Sequence, residues 1–310
     1  MHGTGTISFP GLGIGEFSVS RVAFTVFGRE VYWYGVLIAT AFLLGVMLSL
    51  RLAKENGVDQ DHLLNLVLIT TPVAIVGARV YYVLTTLDQY DSFYEMIAIW
   101  NGGIAIYGAI LAGMASFFIY CKAKKLSFLK VLDVAAPSVI LGQGIGRWGN
   151  FFNQEAFGRA TDLPWRMELV IGGVRQGVHP TFLYESLWDL AGCALLLWIF
   201  FHRRADGQTA FSYFLWYGVG RFFIEGLRTD SLYVGSFRIS QLVSIGLCLI
   251  AVVMLWRLKK QQTGAAALQT AGETGACAAM GEPAGAEDAG DQSMGGADVS
   301  SDASDAACNP

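Results

Sequence analysis

Charged residues are scarce in this chain: Asp, Glu, Lys and Arg make up 15% of it, where an ordinary soluble domain carries about 25%. A surface built for water needs that charge, so the shortage argues against a soluble globular domain. Other absences narrow the chemistry. The five cysteines, Cys121, Cys193, Cys248, Cys277 and Cys308, show neither close pairing nor metal-ligand spacing. Neither a disulfide framework nor a zinc site is indicated. There is no G-x-S-x-G nucleophile elbow and no H-E-x-x-H motif, which points away from serine hydrolases and zinc peptidases. No cofactor and no metal are expected. Residues Met1 to Glu30 are Gly-rich and lack a basic start followed by an apolar stretch. The first spanning helix is therefore expected to act as its own insertion signal.

What the chain has instead is apolar length. Hydrophobic residues make up 54% of it, and runs near twenty residues are what it takes to cross about 30 Å of hydrocarbon. Seven such runs are legible, at 31–50, 63–83, 104–120, 131–146, 183–201, 210–227 and 239–256. The expected fold is an all-α membrane protein of about seven transmembrane helices, filling residues 1–260. The longest connection, about 147–182, contains Pro164, Gly172 and Gly173, and its residues 165–176 alternate loosely enough for a short hairpin. A small extracytoplasmic subdomain is expected there.

The net charge of −4 is set by the last residues. Residues 261–310 hold eight carboxylates and no Lys or Arg, whereas 1–260 hold 21 basic against 17 acidic residues, a net of +4. The tail is Ala, Gly, Ser and acid, with too little large apolar surface to offset the entropy of ordering. It reads as a disordered, inert cytoplasmic extension rather than a docking element.

Short basic loops stay in the cytoplasm. With the N-terminus outside, all seven lysines fall inside: Lys54, Lys122, Lys124, Lys125, Lys130, Lys259 and Lys260. The C-terminus is then cytoplasmic, and the expected setting is a cytoplasmic (inner) membrane. Positive charge on the outer side is all arginine: Arg21, Arg29, Arg147, Arg159, Arg166, Arg175, Arg228 and Arg238, with Arg79 and Arg221 inside spans near their outer ends. Arginine suits a site where a planar fork grips phosphate or carboxylate. The segregation points to an anion site at the outer face.

The densest polar stretch beside an apolar helix runs from Gly146 to Gly158, GRWGNFFNQEAFG. On a helix Arg147 and Asn150 share a face, with Gln154 one turn on. Gly144 to Gly149 also spells G-x-G-x-x-G, but it follows a membrane helix rather than a strand, so a dinucleotide fold is not implied. Gly142 and Gly146 fit close helix packing better. In the sixth run Tyr217, Arg221, Glu225 and Arg228 follow at spacings of four, four and three, one stripe facing the interior. A charge near the bilayer centre costs roughly 2.5–3.5 kcal/mol on insertion scales, so such residues are rarely idle. A purely structural Arg221–Glu225 pair is the bland alternative. Gly102 and Gly103 permit backbone close to a ligand, and Tyr107 follows one turn into the membrane, where a tyrosine is commonly an interface anchor. His179, in HPTFLYE, is the one histidine near the outer face; it is a base or a helix-start residue.

The Gly146–Gly158 run resembles the signature of the bacterial prolipoprotein diacylglyceryl transferases, G-R-x-[GA]-N-F-x-N-x-E-x-x-G, at every specified position. Further matches are Trp33-Tyr34-Gly35, Gly77 with Arg79 and Tyr82, Gly102-Gly103, His179-Pro180-Thr181 before Leu183-Tyr184-Glu185, Tyr217-Gly218, and Arg221 with Glu225. The acidic tail lies outside the resemblance.

The resemblance implies transfer of a diacylglyceryl group from phosphatidylglycerol to the lipobox cysteine of an exported precursor, forming a thioether and releasing glycerol 1-phosphate. The partners it implies are phosphatidylglycerol, the prolipoprotein signal-peptide and lipobox segment, and membrane lipids; nucleic acid is not among them. Family-important positions fall on Tyr34, Arg147, Asn150, Glu155, Gly158, Tyr217, Arg221 and Glu225. In the roles expected here, Arg147 and Arg221 hold and stabilise the phosphate, and Asn150 and Tyr34 position the head group. Glu155 and Glu225 orient the arginines. Gly158, Tyr217, Arg79, Gly102 and Gly103 complete the lipid site. Some relatives carry His where this chain has Tyr107, and a phenol titrating near about 10 is a poor base at neutral pH unless a cation lowers it. Tyr107, His179 and bulk water all stay open as proton acceptors. A transporter and a membrane-protein scaffold are the readings from other classes; the first would place polar groups at the midplane, and the second leaves the Gly146–Gly158 cluster without a purpose.

Overall fold

The computed structural model describes residues 4–231, 233–235 and 237–280. The chain falls into two units, residues 1–263 and 264–310. The first is built on α1 (Trp33–Glu55), α2 (Gln60–Thr85), the short α3 (Phe93–Ile97), α4 (Ile106–Ala123), α5 (Phe128–Asn153), α6 (Thr181–His202), α7 (Gln208–Glu225) and the start of α8 (Ile239–Met280).

Six of these, α1, α2, α4, α5, α6 and the Ile239–Thr263 part of α8, are long and apolar enough to cross a membrane. The remaining expected span, 210–227, is present as α7 but is not apolar enough to count by that measure. It opens on Gln208 and Thr209 and ends on Arg221 and Glu225. Neighbouring protein takes the place of lipid around it: α7 packs on α5 and α6, and a Cβ at Gly218 would crowd Cys248 and Ser244 of α8. The two units divide between residues 263 and 264, and helix is assigned on to Met280. Extending a formed helix needs no new nucleus, and the alanines of 265–279 favour it. Residues 281–310, the rest of the expected tail, lie outside the described residues.

Short links at 56–59, 124–127 and 203–207 join successive helices at one end of the bundle, where Leu52, Leu63, Phe117, Val131 and Phe200 form one core. The left-handed residues Gly57, Lys125 and Gly207 reverse the chain there. Asp133 on α5, with no solvent exposure, accepts from the backbone N–H of Gly207 and Ala210, 2.8 Å each, and pairs with Arg203 at 3.3 Å. A carboxylate at a helix N-terminus satisfies orphan donors and the dipole together. Further along, Trp188 of α6 and Trp216 of α7 stack with centroids 4.3 Å apart. Each indole donates to the other's carbonyl at 3.0 Å. Gly192 and Gly220 leave room for these rings.

The opposite end carries a four-stranded antiparallel sheet. Its strands are β1 (Thr4–Phe9), β2 (Ile14–Ser20), β5 (Met167–Ile171) and β6 (Val174–Val178), in the order β2-β1-β5-β6. The hairpin expected over 165–176 is β5–β6, turning at Gly172 and Gly173 with φ of 58° and 83°. The N-terminal strands were not legible. Ile7 and Phe9 meet Met167, Leu169 and Val178 in a core capped by Phe151, Phe157 and Phe182. A separate hairpin, β3 (Val22–Val26) with β4 (Arg29–Tyr32), leads directly into α1, and a small one, β7 (Tyr233–Val234) with β8 (Phe237–Arg238), precedes α8.

Candidate active site

The Gly146–Gly158 run sits where α5 meets the sheet end. The helix continues through Asn153, and left-handed Gln154 and Ala156 then turn the chain back. Glu155 Oε1 accepts from Asn150 Nδ2 at 3.0 Å and from Asn153 Nδ2 at 3.1 Å. It was expected to orient an arginine; it holds two asparagines. The reason is the turn, which folds Glu155 onto the last turn of its own helix. The Tyr34 ring lies flush on Gly149, where a Cβ would come within 2.5 Å of it. Helix contact expected at Gly142 falls instead on Gly144, against Asp189 and Leu190 of α6, while Gly142 faces open space. Gly158 donates its N–H to His179 O at 2.9 Å, and a Cβ there would meet the His179 side chain at 2.6 Å.

One carboxylate gathers the arginines. Glu185, in the second turn of α6 with its side chain 5% exposed, binds Arg147 Nε through Oε2 and Arg221 Nη1 through Oε1 at 2.5 Å. Arg228 Nη1 stands 3.9 Å from the same Oε1. Arg221 spans on to Glu225 Oε2 at 2.6 Å, and Arg228 forks onto Asp230 at 2.9 and 2.7 Å. Burial works against ionisation of Asp230, but the Arg228 fork outweighs it and holds the carboxyl below its usual range. Three guanidinium groups therefore face three carboxylates, which offsets the cost of taking them out of water. Among the described residues nothing takes up the two Nη groups of Arg147. A planar fork is thus anchored through Nε with its remaining donors free, a suitable receiver for phosphate oxygens. One turn beyond Glu185, Asp189 is 3% exposed, and among the described residues its Oδ2 has no hydrogen-bond partner.

Other expected residues stand apart from this cluster. Arg79 is 6% exposed and gives Nε to Met96 O (2.9 Å), Nη1 to Gly102 O (2.6 Å) and Gly103 O (2.7 Å), and Nη2 to Glu95 O (2.6 Å). It clamps the 95–103 loop. Gly102 and Gly103, at φ of 85° and 76°, turn their carbonyls onto it. A buried guanidinium needs acceptors, and the loop supplies them. Tyr107 is half-buried in the first turn of α4, and its phenol makes no hydrogen bond among the described residues. Tyr217 stacks on Tyr213 at 5.8 Å, along the α7 stripe below Arg221. His179 Nδ1 lies 3.4 Å from Tyr184 Oη, which accepts from Trp165 Nε1 at 2.7 Å. Burial, aided by the Arg159 charge, holds the His179 ring below its ordinary pKa. The imidazole is neutral at pH 7 and able to take a proton.

Glu185 was legible in the sequence only as part of the resemblance, without a role in the site. The signal existed: Glu185 and Asp189 are carboxylates four apart inside an apolar run, the same pattern that singled out Arg221 and Glu225.

Comparison with known proteins bears directly on this arrangement. A family model described as prolipoprotein diacylglyceryl transferase matches residues 21–257. The phosphatidylglycerol–prolipoprotein diacylglyceryl transferase of Finegoldia magna is 47% identical over 245 residues, covering 78% of this chain and 97% of that protein. The protein of that name from Clostridioides difficile is 44% identical over 230 residues, 73% of this chain and 90% of its own. The one from Bacillus cytotoxicus is 42% identical over 259 residues, 80% and 94%. The match takes in the arginine cluster, the asparagine clamp and all the apolar helices that carry them: this chain belongs to the prolipoprotein diacylglyceryl transferase family.

Proposed function

We propose that this membrane enzyme transfers the diacylglyceryl group of phosphatidylglycerol to the thiol of a prolipoprotein's lipobox cysteine, leaving a thioether and glycerol 1-phosphate. The observation that carries the site assignment is the meeting of Arg147 and Arg221 on Glu185. In the reaction a thiolate sulfur attacks the glycerol carbon that bears the phosphate, and the carbon–oxygen bond breaks. Negative charge grows on the departing phosphate oxygen, and fixed guanidinium groups stabilise it without reorganising. Arg147 receives the phosphate on its free Nη donors while Glu185 keeps the fork in place. Glu225 does the same for Arg221. Asn150, held by Glu155, shares a helix face with Arg147, and Tyr34 is seated on Gly149; both position the head group. No acyl-enzyme is needed, since displacement occurs at saturated carbon.

A free thiol titrates near about 8.5, so a base or a positive field has to favour thiolate. His179, neutral and hydrogen-bonded through its carbonyl to Gly158, is the acceptor proposed here, with Tyr107 and bulk water as the other candidates. The proposed setting is the bacterial cytoplasmic membrane, with the sheet end outside and the lysine-bearing links in the cytoplasm, in keeping with the distribution of Lys and Arg. Purified protein in phosphatidylglycerol vesicles should add the mass of one diacylglyceryl group to a lipobox peptide. A peptide whose cysteine is replaced by serine should gain nothing. Unchanged peptide mass with folded protein would sink the assignment.

A further inference from the structure

The hairpin β3–β4 carries a side chain that neither the fold nor the reaction explains. Phe27, at its tip, is 102% exposed. It also takes a left-handed backbone, φ 47°, followed by Gly28 at 77°. Two-residue turns of this kind ordinarily use Asn-Gly, since a bulky residue is strained at positive φ. A strained aromatic standing wholly in water is doubly unfavourable, so water is the wrong surrounding for it.

Register shows what the hairpin offers. Val26 pairs with Arg29, and Phe24 with Val31, so Phe24, Val26, Val31 and Arg29 share one face. Thr25 and Glu30 share the other. Phe24 and Val26 are exposed although nothing in the fold requires it. The hairpin pairs with no other strand of the described residues, which leaves it free to lean. Its base is fixed: Trp33 N–H donates to Arg21 O at 2.9 Å, Arg21 Nη2 to Asn153 O at 2.9 Å, and the Trp33 ring stacks on Phe152 at 4.9 Å. β4 ends at Tyr32 and the membrane-crossing α1 begins at Trp33, whose outward face continues with Tyr34, Ile38 and Phe42. The hairpin thus runs without a break into a spanning helix that exposes Ile38 and Phe42.

We propose that β3–β4 is an interfacial lipid anchor. It lies along the bilayer surface with Phe24, Val26 and Phe27 in the acyl region and Arg29 reaching lipid phosphates, as amphipathic cations do at such boundaries. Because its base is tied to Phe152 and Asn153, the last turn of the helix that carries Arg147, the anchor sets the depth at which the arginine cluster meets the phosphate plane.

The full chain carrying benzoylphenylalanine in place of Phe27 would be placed in vesicles of phosphatidylglycerol and phosphatidylethanolamine, irradiated, and its adducts weighed. Lipid adducts are expected at position 27 and not at Thr25, on the opposite face. Equal labelling at both positions, or none at either, overturns the proposal. So does an adduct with added lipobox peptide or with a second copy in place of lipid. Phe24→Ser with Phe27→Ser should lose turnover on vesicles while keeping it in detergent micelles; equal loss in both would overturn the depth-setting role. The cross-linking readout does not depend on transfer, so its failure is distinct from failure of the enzymatic assignment.

Discussion

Glu185 is the residue on which the arginine cluster turns, because both carboxylate oxygens are engaged and by different helices. Replacing Glu185 by Gln keeps the shape but leaves Arg147 and Arg221 without their shared counter-charge. Removing one partner of a buried pair costs about 3–5 kcal/mol, and losing fixed stabilisation of a developing charge costs roughly 100-fold in rate. Both a lower unfolding temperature and that loss of peptide lipidation are expected. Arg79 gives the contrast. Arg79→Gln strands carbonyls of the 95–103 loop, so about 3 kcal/mol of stability should go, while kcat and KM of the folded fraction stay unchanged. A selective rise in KM for phosphatidylglycerol would return Arg79 to the lipid site. His179 makes a pH prediction. Its folded pKa is depressed by burial and Arg159, so the unfolded chain binds the proton first as pH falls. Stability from this group is full above the ordinary histidine pKa and declines as pH drops below it. If His179 is the base, kcat/KM falls on the same acid side, and His179→Gln removes that limb; an unaltered profile would pass the role to Tyr107 or water.

At the scale of elements, the helices were legible because apolar length is a local property, and so were the charged stripes on them. The sheet was half legible. The β5–β6 turn is written in Gly172 and Gly173, but pairing of β1 with β5 joins residues such as Ile7 and Leu169, and no local period reports that. The Arg79 clamp was not legible for a related reason: its four carbonyl partners belong to a loop whose path depends on Gly102 and Gly103 at positive φ. The α6–α7 contact carries its own prediction. A methyl at Gly220 would collide with the Trp188 indole, so Gly220→Ala should cost about 1–3 kcal/mol by overpacking, read as a lower unfolding temperature. No loss would mean the stacked indoles are not what holds these helices.

For the whole molecule, charge distribution and family membership describe the same division of labour. Lysines all gather at the end with the short links, and the positive charge at the end with the sheet and the site is arginine alone. The helix that looked least like a membrane span, α7, carries Arg221 and Glu225 and is wrapped by α5, α6 and α8; composition alone ranks it low because its neighbours, not lipid, receive its polar groups. The family match ends at residue 257, so a chain ending at residue 263 should retain transfer at the level of the full chain, measured on the same vesicles. A drop would give the second unit a role in catalysis.

The central claim is that Arg147 and Arg221 together receive the lipid phosphate. Solid-state NMR on arginine-labelled enzyme holding a phosphonate analogue of phosphatidylglycerol would measure dipolar coupling between the phosphorus and each guanidinium. Coupling to two arginines is expected, one signal vanishing with Arg147→Lys and the other with Arg221→Lys. Phosphorus coupled to neither, or to Arg79 alone, would contradict the account.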